Sequence, residues 1–202
     1  MGTGRRMTNR MRSVADRDRG TGSEPTVTIR RFTADEWRTY RELRLRALAD
    51  SPDAFGSTLE REAAFTDSEW RNRLAGAASA WDAIPLVALV DGTPAGLAWG
   101  RVAEDDAEVA HLYQVWVAPG HRGRGLGRLL IEAVIAWARE SGFRALLLDV
   151  TAGNSAAVEL YRQLGFVDDG DTQPLRDGSA LRRQPMQLVL DDGQTNSGSV
   201  VS

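Results

Sequence analysis

The sequence contains no cysteine and no lysine, and it has only two histidines among its 202 residues. Without cysteine the chain forms no disulfide, no thiolate metal site and no cysteine nucleophile. With His111 and His121 alone, a histidine-rich metal site is unexpected, so we predict that no metal is bound. The lack of lysine also excludes the nucleotide-triphosphate loop, because that loop requires a lysine before its Ser or Thr.

Long hydrophobic runs are missing as well. No apolar stretch approaches the roughly 18 residues that a membrane span needs, and the first 25 residues lack the apolar core of a secretory signal. We therefore expect a cytoplasmic protein with no membrane partner. The apolar content of 42% is ordinary for a globular protein, and the length favours a single domain.

Charge is distributed unevenly along the chain. Residues 1–25 carry six arginines and three acidic residues, whereas residues 26–190 carry 19 arginines and 23 acidic residues. We predict a disordered Arg/Gly-rich tail over 1–25, one folded domain over 26–190 and a second disordered tail over 191–202. The folded part has no basic footprint, so we expect no nucleic-acid partner. A nucleic-acid-binding arm in the first tail is an open alternative.

One stretch, from Val115 to Trp137, indicates an anion-binding loop. It begins with the strand-forming residues 115–117, turns at Pro119-Gly120, and then places glycine at every second position between Arg122 and Arg128. Helical apolar spacing starts at Leu126. A glycine-rich turn that opens a helix offers free backbone N–H groups and a partial positive charge. The third glycine of the dinucleotide fingerprint is replaced by Arg128, so that fingerprint does not fit.

The remaining pattern is of alternating strands and helices. Helices are predicted after Thr33, after Thr66, from Leu126 and from Asn154, with the segment 53–65 irregular. Gly96 and Gly100 interrupt one strand pattern, which suggests bends or close backbone approach. Strands are predicted at 26–32, 84–90, 95–103, 108–117, 145–150, 165–167 and 183–190.

Two motifs together resemble a known family. Arg122-Gly123-Arg124-Gly125-Leu126-Gly127 fits the pattern R/Q-x-x-G-x-G/A. A second set fits a small-residue helix followed by Gly-Phe: Asn154, Ala156, Ala157, Leu160, Tyr161, Gly165 and Phe166. In both motifs the chain resembles the GCN5-related N-acetyltransferases, the GNAT family. The resemblance implies an α+β fold, a splayed mixed sheet of about six or seven strands flanked by about four helices, with acetyl-CoA as co-substrate.

The resemblance also implies roles for particular residues. The backbone of Val115, Trp116 and Val117 would bind the pantetheine arm, and Asn154 would bind the cofactor through its side-chain amide. Tyr161 matches the family tyrosine that donates a proton to the leaving thiol. The pyrophosphate would be held by Arg122, Gly123, Arg124, Gly125, Leu126, Gly127 and Arg128.

The general base is less directly indicated. Many family members carry a glutamate near the position of Gln114, and an amide cannot accept a proton at neutral pH. Asp149 is the better candidate, because its position, five residues before Asn154 and twelve before Tyr161, is similar to that of an acidic residue in the ribosomal-protein N-terminal acetyltransferases of this family. The alternatives are a structural role for Asp149, or His111 or Glu108 acting through water.

The acceptor site is expected between the first helices and the later loops, at 53–65 and 168–178. The acidic residues of these segments suit a cationic amine, and Phe55, Phe65 and Trp99 would add an apolar wall. The resulting hypothesis is acetylation of a primary amine of a small molecule. A peptide N-terminus and a non-catalytic acetyl-CoA-binding regulatory module are the alternatives, and a homodimer is left open. The acids are Glu60, Glu62, Asp168, Asp169, Asp171 and Asp177.

Overall fold

The computed structural model describes residues 24–190, so the predicted tails, apart from residues 24 and 25, lie outside the described residues. The helices are α1 (Trp37–Asp50), α2 (Leu59–Ala63), α3 (Asp67–Ser79), α4 (Leu126–Glu140) and α5 (Ser155–Gln163). The strands are β1 (Val27–Arg31), β2 (Ala83–Val90), β3 (Thr93–Val102), β4 (Val109–Val117), β5 (Ala145–Thr151), β6 (Val167–Asp168), β7 (Gln173–Pro174) and β8 (Arg182–Val189). Within the described residues, no helix is both long and apolar enough to cross a bilayer.

All the strands belong to one mixed sheet. Their order is β1-β2-β3-β4-β5-β8-β6, and β7 also pairs with β8. The pairing of β4 with β5 is parallel and the other pairings are antiparallel. The parallel pair needs a crossover, which α4 supplies. The predicted fold class is confirmed. Two short elements were not predicted: α2, in the segment 53–65, and β7, in the loop 168–178.

The core lies on both faces of the sheet. One cluster joins the sheet to α4 and α5 and includes Leu112, Leu148 and Tyr161. The other joins the opposite face to α1 and α3 and includes Tyr40, Trp70 and Trp99. Burial on two faces explains the continuous apolar run of β2.

The sheet opens between its two parallel strands. Residues 109–112 of β4 pair with residues 145–148 of β5, and the pairing ends there. Just beyond, Gln114 has a φ of 56°, in the left-handed region. The β3–β4 register shifts here, since Trp99 faces Tyr113 while Leu97 faces Trp116. This bulge bends β4, and the stretch after Leu112 has no strand partner on its β5 side among the described residues.

Gly96 and Gly100 are sites of close approach, as predicted. A Cβ on Gly96 would lie 2.8 Å from the carbonyl oxygen of Trp116. A Cβ on Gly100 would lie 2.7 Å from the ring of Trp137, which belongs to α4. Gly96 therefore lets β4, the strand that leads to the glycine loop, pack closely against β3. Gly100 does the same for α4.

Candidate active site

The loop between β4 and α4 has the backbone of an anion site. Gly123 and Gly125 have φ values of 74° and 81°, which favour glycine. Gly125 is the N-cap of α4 and offers no side-chain oxygen, so the first N–H groups of the helix lack a side-chain cap. A Cβ added at either glycine would meet nothing within 4 Å, so the loop is open to a ligand. These features fit the pyrophosphate of acetyl-CoA.

The three arginines around the loop differ in whether they have a partner. Arg122 donates to the carboxylate of Asp50 and, through Nε at 2.9 Å, to the carbonyl oxygen of Val117. Arg128 donates to Gln163 at 2.7 Å. Arg124 is exposed and has no hydrogen bond or ion pair with any residue of 24–190. Arg124 is therefore the most available of the three for a phosphate, while Arg122 fixes the loop.

The edge of β4 suits an extended ligand. Trp116 and Val117 pair with β3 on one side, and the parting of β4 from β5 leaves Val115, Trp116 and Val117 without a strand partner on the other. The carbonyl oxygen of Val117 is bound by Arg122, so an added chain would share or displace that bond. Unpaired backbone groups on a strand edge accept an added extended chain. Asn154, which follows β5 in the chain, is the N-cap of α5, and its Oδ1 accepts a hydrogen bond from the N–H of Ala157 at 3.3 Å.

A cleft of about 950 Å³ lies on the α1–α3 side of the opened sheet. Segments near 54–65 and Leu175 border it, together with strands β3, β4 and β5. Tyr161, Asp149 and Val115 line the same cleft, so the structure brings two predicted catalytic residues next to one predicted pantetheine contact. The glycine loop does not border the cleft. The cleft therefore lies beside the segment 53–65, one of the two segments predicted to form the acceptor site.

Tyr161 belongs to the hydrophobic core and also borders the cleft. It is 9% exposed and packs edge-on against Phe166. Burial raises the pKa of Tyr161 to about 12. Its hydroxyl makes no hydrogen bond to any residue in the described range. A phenol with these properties keeps its proton at neutral pH and can donate it to a group that enters the cleft.

Asp149 and His111 lie on the same face of the sheet. His111 pairs with Leu147 in parallel register, and Asp149 follows two residues later on β5. The carboxylate of Asp149 accepts a hydrogen bond from Arg183 of β8, so this acid is paired. Arg183 also donates to Gln173 at 2.7 Å. Both His111 and Asp149 border the cleft.

The imidazole of His111 is half-buried and stacks on Tyr113 with a centroid distance of 5.6 Å. Burial lowers the pKa of His111 below its usual 6.5, and the charge of Arg183 lowers it further, although Asp149 and Asp105 oppose the shift. The imidazole is therefore neutral at pH 7. A neutral imidazole is a competent proton acceptor.

The other two candidates for the base are placed differently. The side-chain oxygen of Gln114 accepts a hydrogen bond from the buried hydroxyl of Tyr40 at 3.1 Å, which fixes the amide at the bulge. Glu108 lies outside the cleft lining, 3.5 Å from Arg144. Neither side chain provides a free proton acceptor in the cleft.

The acids predicted in the two acceptor segments do not make the cleft acidic. Of the six predicted acids only Glu62 borders the cleft, and its carboxylate is bound by Arg44 at 2.7 and 2.9 Å. Asp168 is bound by Arg162 at 3.0 Å, away from the cleft. The cleft lining carries five arginines and four acidic residues, so it is not an acidic pocket.

Arg44 is a buried charged residue of the cleft wall that the sequence reasoning missed. It is 3% exposed, on the inner face of α1. A signal was present, because Arg44 lies four residues after Tyr40 and four before Leu48, within the apolar stripe of the helix. A charged residue in such a stripe requires a buried partner, which proves to be Glu62. Within residues 24–190 no group of three His, Asp or Glu side chains is arranged to hold a metal.

Comparison with known proteins decides the family. The model of the acetyltransferase (GNAT) family matches residues 35–166, a span that contains the loop, the opened sheet and α5. The chain belongs to the GNAT family. A solved acetyltransferase of Salmonella typhimurium, titled putative and determined with its cofactor acetyl-CoA, is 25% identical with a TM-score of 0.68; the match covers 83% of this chain and 95% of that one.

Curated relatives of this GNAT chain match over shorter stretches. Streptothricin acetyltransferase of Streptomyces lavendulae is 45% identical over 64 residues, which is 32% of this chain and 34% of the relative. A mycothiol acetyltransferase of Renibacterium salmoninarum is 29% identical over 158 residues, which is 74% of this chain and 44% of the relative. The chain therefore spans less than half the length of these two relatives.

Proposed function

We propose that the protein is an acetyl-CoA-dependent N-acetyltransferase that acetylates a primary amine of a small molecule by direct attack. The observation that carries this proposal is the position of Tyr161 and Asp149 in one cleft, at the gap where β4 leaves β5. The open glycine loop and the unpaired edge of β4 lie at the same end of the strand. Bound acetyl-CoA supplies the acetyl thioester.

The proton transfers are assigned to residues of the cleft. A primary amine is mainly protonated at pH 7 and must lose a proton before it attacks. We assign that proton to the neutral imidazole of His111, with the negative charge of Asp149 stabilising the imidazolium. Tyr161, whose pKa is raised to about 12 by burial, then donates its proton to the departing sulfur. Asp149 acting alone as the base is the alternative.

The phosphate and pantetheine contacts follow from the backbone geometry. The N–H groups at the start of α4, with Gly123, Gly125, Gly127 and the side chains of Arg124 and Arg128, would hold the pyrophosphate. Val115, Trp116 and Val117 would pair with the pantetheine arm as an added strand. The free amide nitrogen of Asn154 is the remaining contact.

The names of the curated relatives support a small-molecule acceptor. One is named for streptothricin and the other for mycothiol. The cleft volume of about 950 Å³ suits an acceptor of that class, since ligand pockets typically span roughly 300–1,000 Å³. A peptide N-terminus as acceptor and a non-catalytic acetyl-CoA-binding module are the rival functions.

The test is release of free thiol from acetyl-CoA with a panel of small amines and peptides, with products identified by mass spectrometry. Tyr161→Phe is expected to lower turnover by roughly 100-fold, because general acid catalysis contributes about 10²–10⁴-fold, while acetyl-CoA affinity stays unchanged. Tyr113→Phe is the matched control, since Tyr113 also borders the cleft. Binding of acetyl-CoA without turnover of any amine would favour the regulatory module.

A further inference from the structure

The wall of the cleft contains a buried group of charges that the catalytic steps do not use. Arg44 and Glu62 have side-chain exposures of 4% and 1%, and they form a two-point hydrogen-bonded pair. Arg73 of α3 lies 3.6 Å from the same carboxylate and is 34% exposed. All three residues border the cleft.

This group carries an excess of positive charge. Two guanidinium groups share one carboxylate, so one positive charge is not compensated within the group. Burial works to raise the pKa of Glu62, but the hydrogen bonds and charge of Arg44, with the charge of Arg73, hold it below its usual value. Glu62 is therefore ionised and has no further negative charge to offer. A positive charge without a partner costs free energy where protein partly excludes water, and a bound anion would reduce that cost.

One hydrogen-bond donor of the group is unused. Nη1 of Arg44 is buried and has no acceptor among the described residues. Buried polar atoms are normally paired, so an unpaired one at a cleft wall points to a ligand. Aromatic rings contact both guanidinium groups. That of Arg44 lies 4.7 Å from the ring centroid of Phe55, and that of Arg73 lies 5.8 Å from the ring centroid of Phe65, distances at which a cation is attracted to the ring.

The other arginines of the lining are Arg61 and Arg101, which are exposed, and the half-buried Arg183. Asp149 is engaged by Arg183 on the sheet side. Of the two remaining acids of the lining, Glu104 is exposed and Asp82 is half-buried. The buried pair of Arg44 and Glu62, with the partly exposed Arg73, thus forms a positive group at the α1–α3 side of the cleft, apart from the proposed catalytic groups at the sheet.

We propose that Arg73 and Arg44 form a subsite for a carboxylate carried by the acceptor, so that the acceptor is an amino acid or a compound with an amino-acid-like end. This inference rests on the proposed acetyltransferase function and names its substrate class. The guanidinium fork of Arg73 contacts the carboxylate from the cleft, and Arg44 supplies its spare Nη1 donor. The amine of the same acceptor extends toward Asp149, His111 and Tyr161.

The experiment compares matched acceptors with and without the negative charge. A set of L-amino acids with aromatic, aliphatic and polar side chains is assayed beside the corresponding amides. The amine of an amide is less basic and more often neutral at pH 7, so intrinsic reactivity favours the amides. We expect the free acids to be preferred by about 10- to 100-fold in kcat/KM, because hydrogen bonds to charged groups are worth that much.

Arg73→Gln is expected to reduce this preference to less than about threefold, mainly through a higher KM for the acids, with the KM for acetyl-CoA unchanged. Arg73→Lys should restore part of the preference, since it keeps the charge but loses the fork. Arg71→Gln is the matched control, because Arg71 lies on the same helix, stacks on Trp37 and is outside the cleft lining.

A binding measurement separates failure of this inference from failure of the proposed function. The tryptophan fluorescence of the protein should respond to a ligand here, because Trp99 borders the cleft and the ring of Trp70 lies 5.9 Å from Arg73. Titration of the CoA-saturated protein should show binding of free acids and weaker binding of amides, even if no amine is acetylated. Equal binding or equal turnover of acids and amides, binding of neither form, or an unchanged ratio in Arg73→Gln would overturn the inference.

Discussion

The carboxylate of Asp50, at the end of α1, accepts hydrogen bonds from both Arg122 and Trp116. The bond from the indole nitrogen of Trp116 is 2.9 Å long. The hydrogen bond of Trp116, that of Ser51 and then that of Arg122 lower the pKa of Asp50, so the acid is ionised at neutral pH. One side chain of α1 therefore ties the strand β4 to the arginine that precedes the glycine loop.

Replacement of Asp50 by Asn is expected to loosen the loop without damaging the cleft. The amide keeps the size of the side chain but loses the charge that holds Arg122. We predict a rise of roughly 10-fold in the KM for acetyl-CoA, with little change in the KM for the acceptor. Steady-state kinetics with each substrate varied would measure this. Asp35→Asn, at the exposed start of the preceding turn, is the control, and equal effects of both substitutions would contradict the prediction.

The loop was the most predictable part of the molecule. Alternating glycines, the preceding apolar strand and the helical spacing after Leu126 are local features, and local features are visible in sequence. The partners of the arginines were not predictable. Arg122 meets Asp50, 72 residues earlier, only because α1 packs on the sheet. Sequence therefore indicated an anion loop but not which arginine is free to bind the anion.

Gly125 offers a direct test of the loop. Its φ of 81° strains any residue with a side chain, although a Cβ there would meet no atom within 4 Å. Gly125→Ala is expected to cost roughly 1–2 kcal/mol in the loop and to weaken acetyl-CoA binding moderately. Gly125→Glu adds a negative charge at the helix start and is expected to abolish binding. Calorimetric titration with acetyl-CoA measures both variants.

Gly120 provides the matched control for this test. It also has open space around its Cβ position, but its φ does not lie in the left-handed region. Gly120→Ala and Gly120→Glu should therefore retain most of the binding. If Gly125→Glu bound acetyl-CoA as well as Gly120→Glu does, the loop could not be the phosphate site.

The cleft shows where inference from sequence reaches its limit. The family resemblance pointed to Asp149 and Tyr161, and both border the cleft. The state of each acid depends on distant partners: Arg183 for Asp149 and Arg44 for Glu62. Counting acids in loops 53–65 and 168–178 therefore gave the wrong electrostatic character, because ion pairing is a property of tertiary packing. The charge distribution of the cleft became visible only when these partners were known.

The pH dependence of turnover distinguishes the two candidates for the base. If His111 accepts the proton, kcat/KM should fall at low pH as the imidazole becomes protonated, with a midpoint below its usual 6.5 because burial lowers its pKa. His111→Gln should lose this acidic limb together with much of the activity. Tyr161, with its pKa near 12, should add no alkaline limb below about pH 11.

Asp149→Asn gives the decisive comparison, because the two assignments predict different curves. The charge of Asp149 raises the pKa of His111, whereas Arg183 and burial lower it. Removal of that charge should therefore lower the imidazole pKa further and move the acidic limb to lower pH, with a reduced plateau. If Asp149 were itself the base, the same substitution would remove the limb, and His111→Gln would keep it. Full pH–rate profiles of both variants thus assign the proton to one side chain.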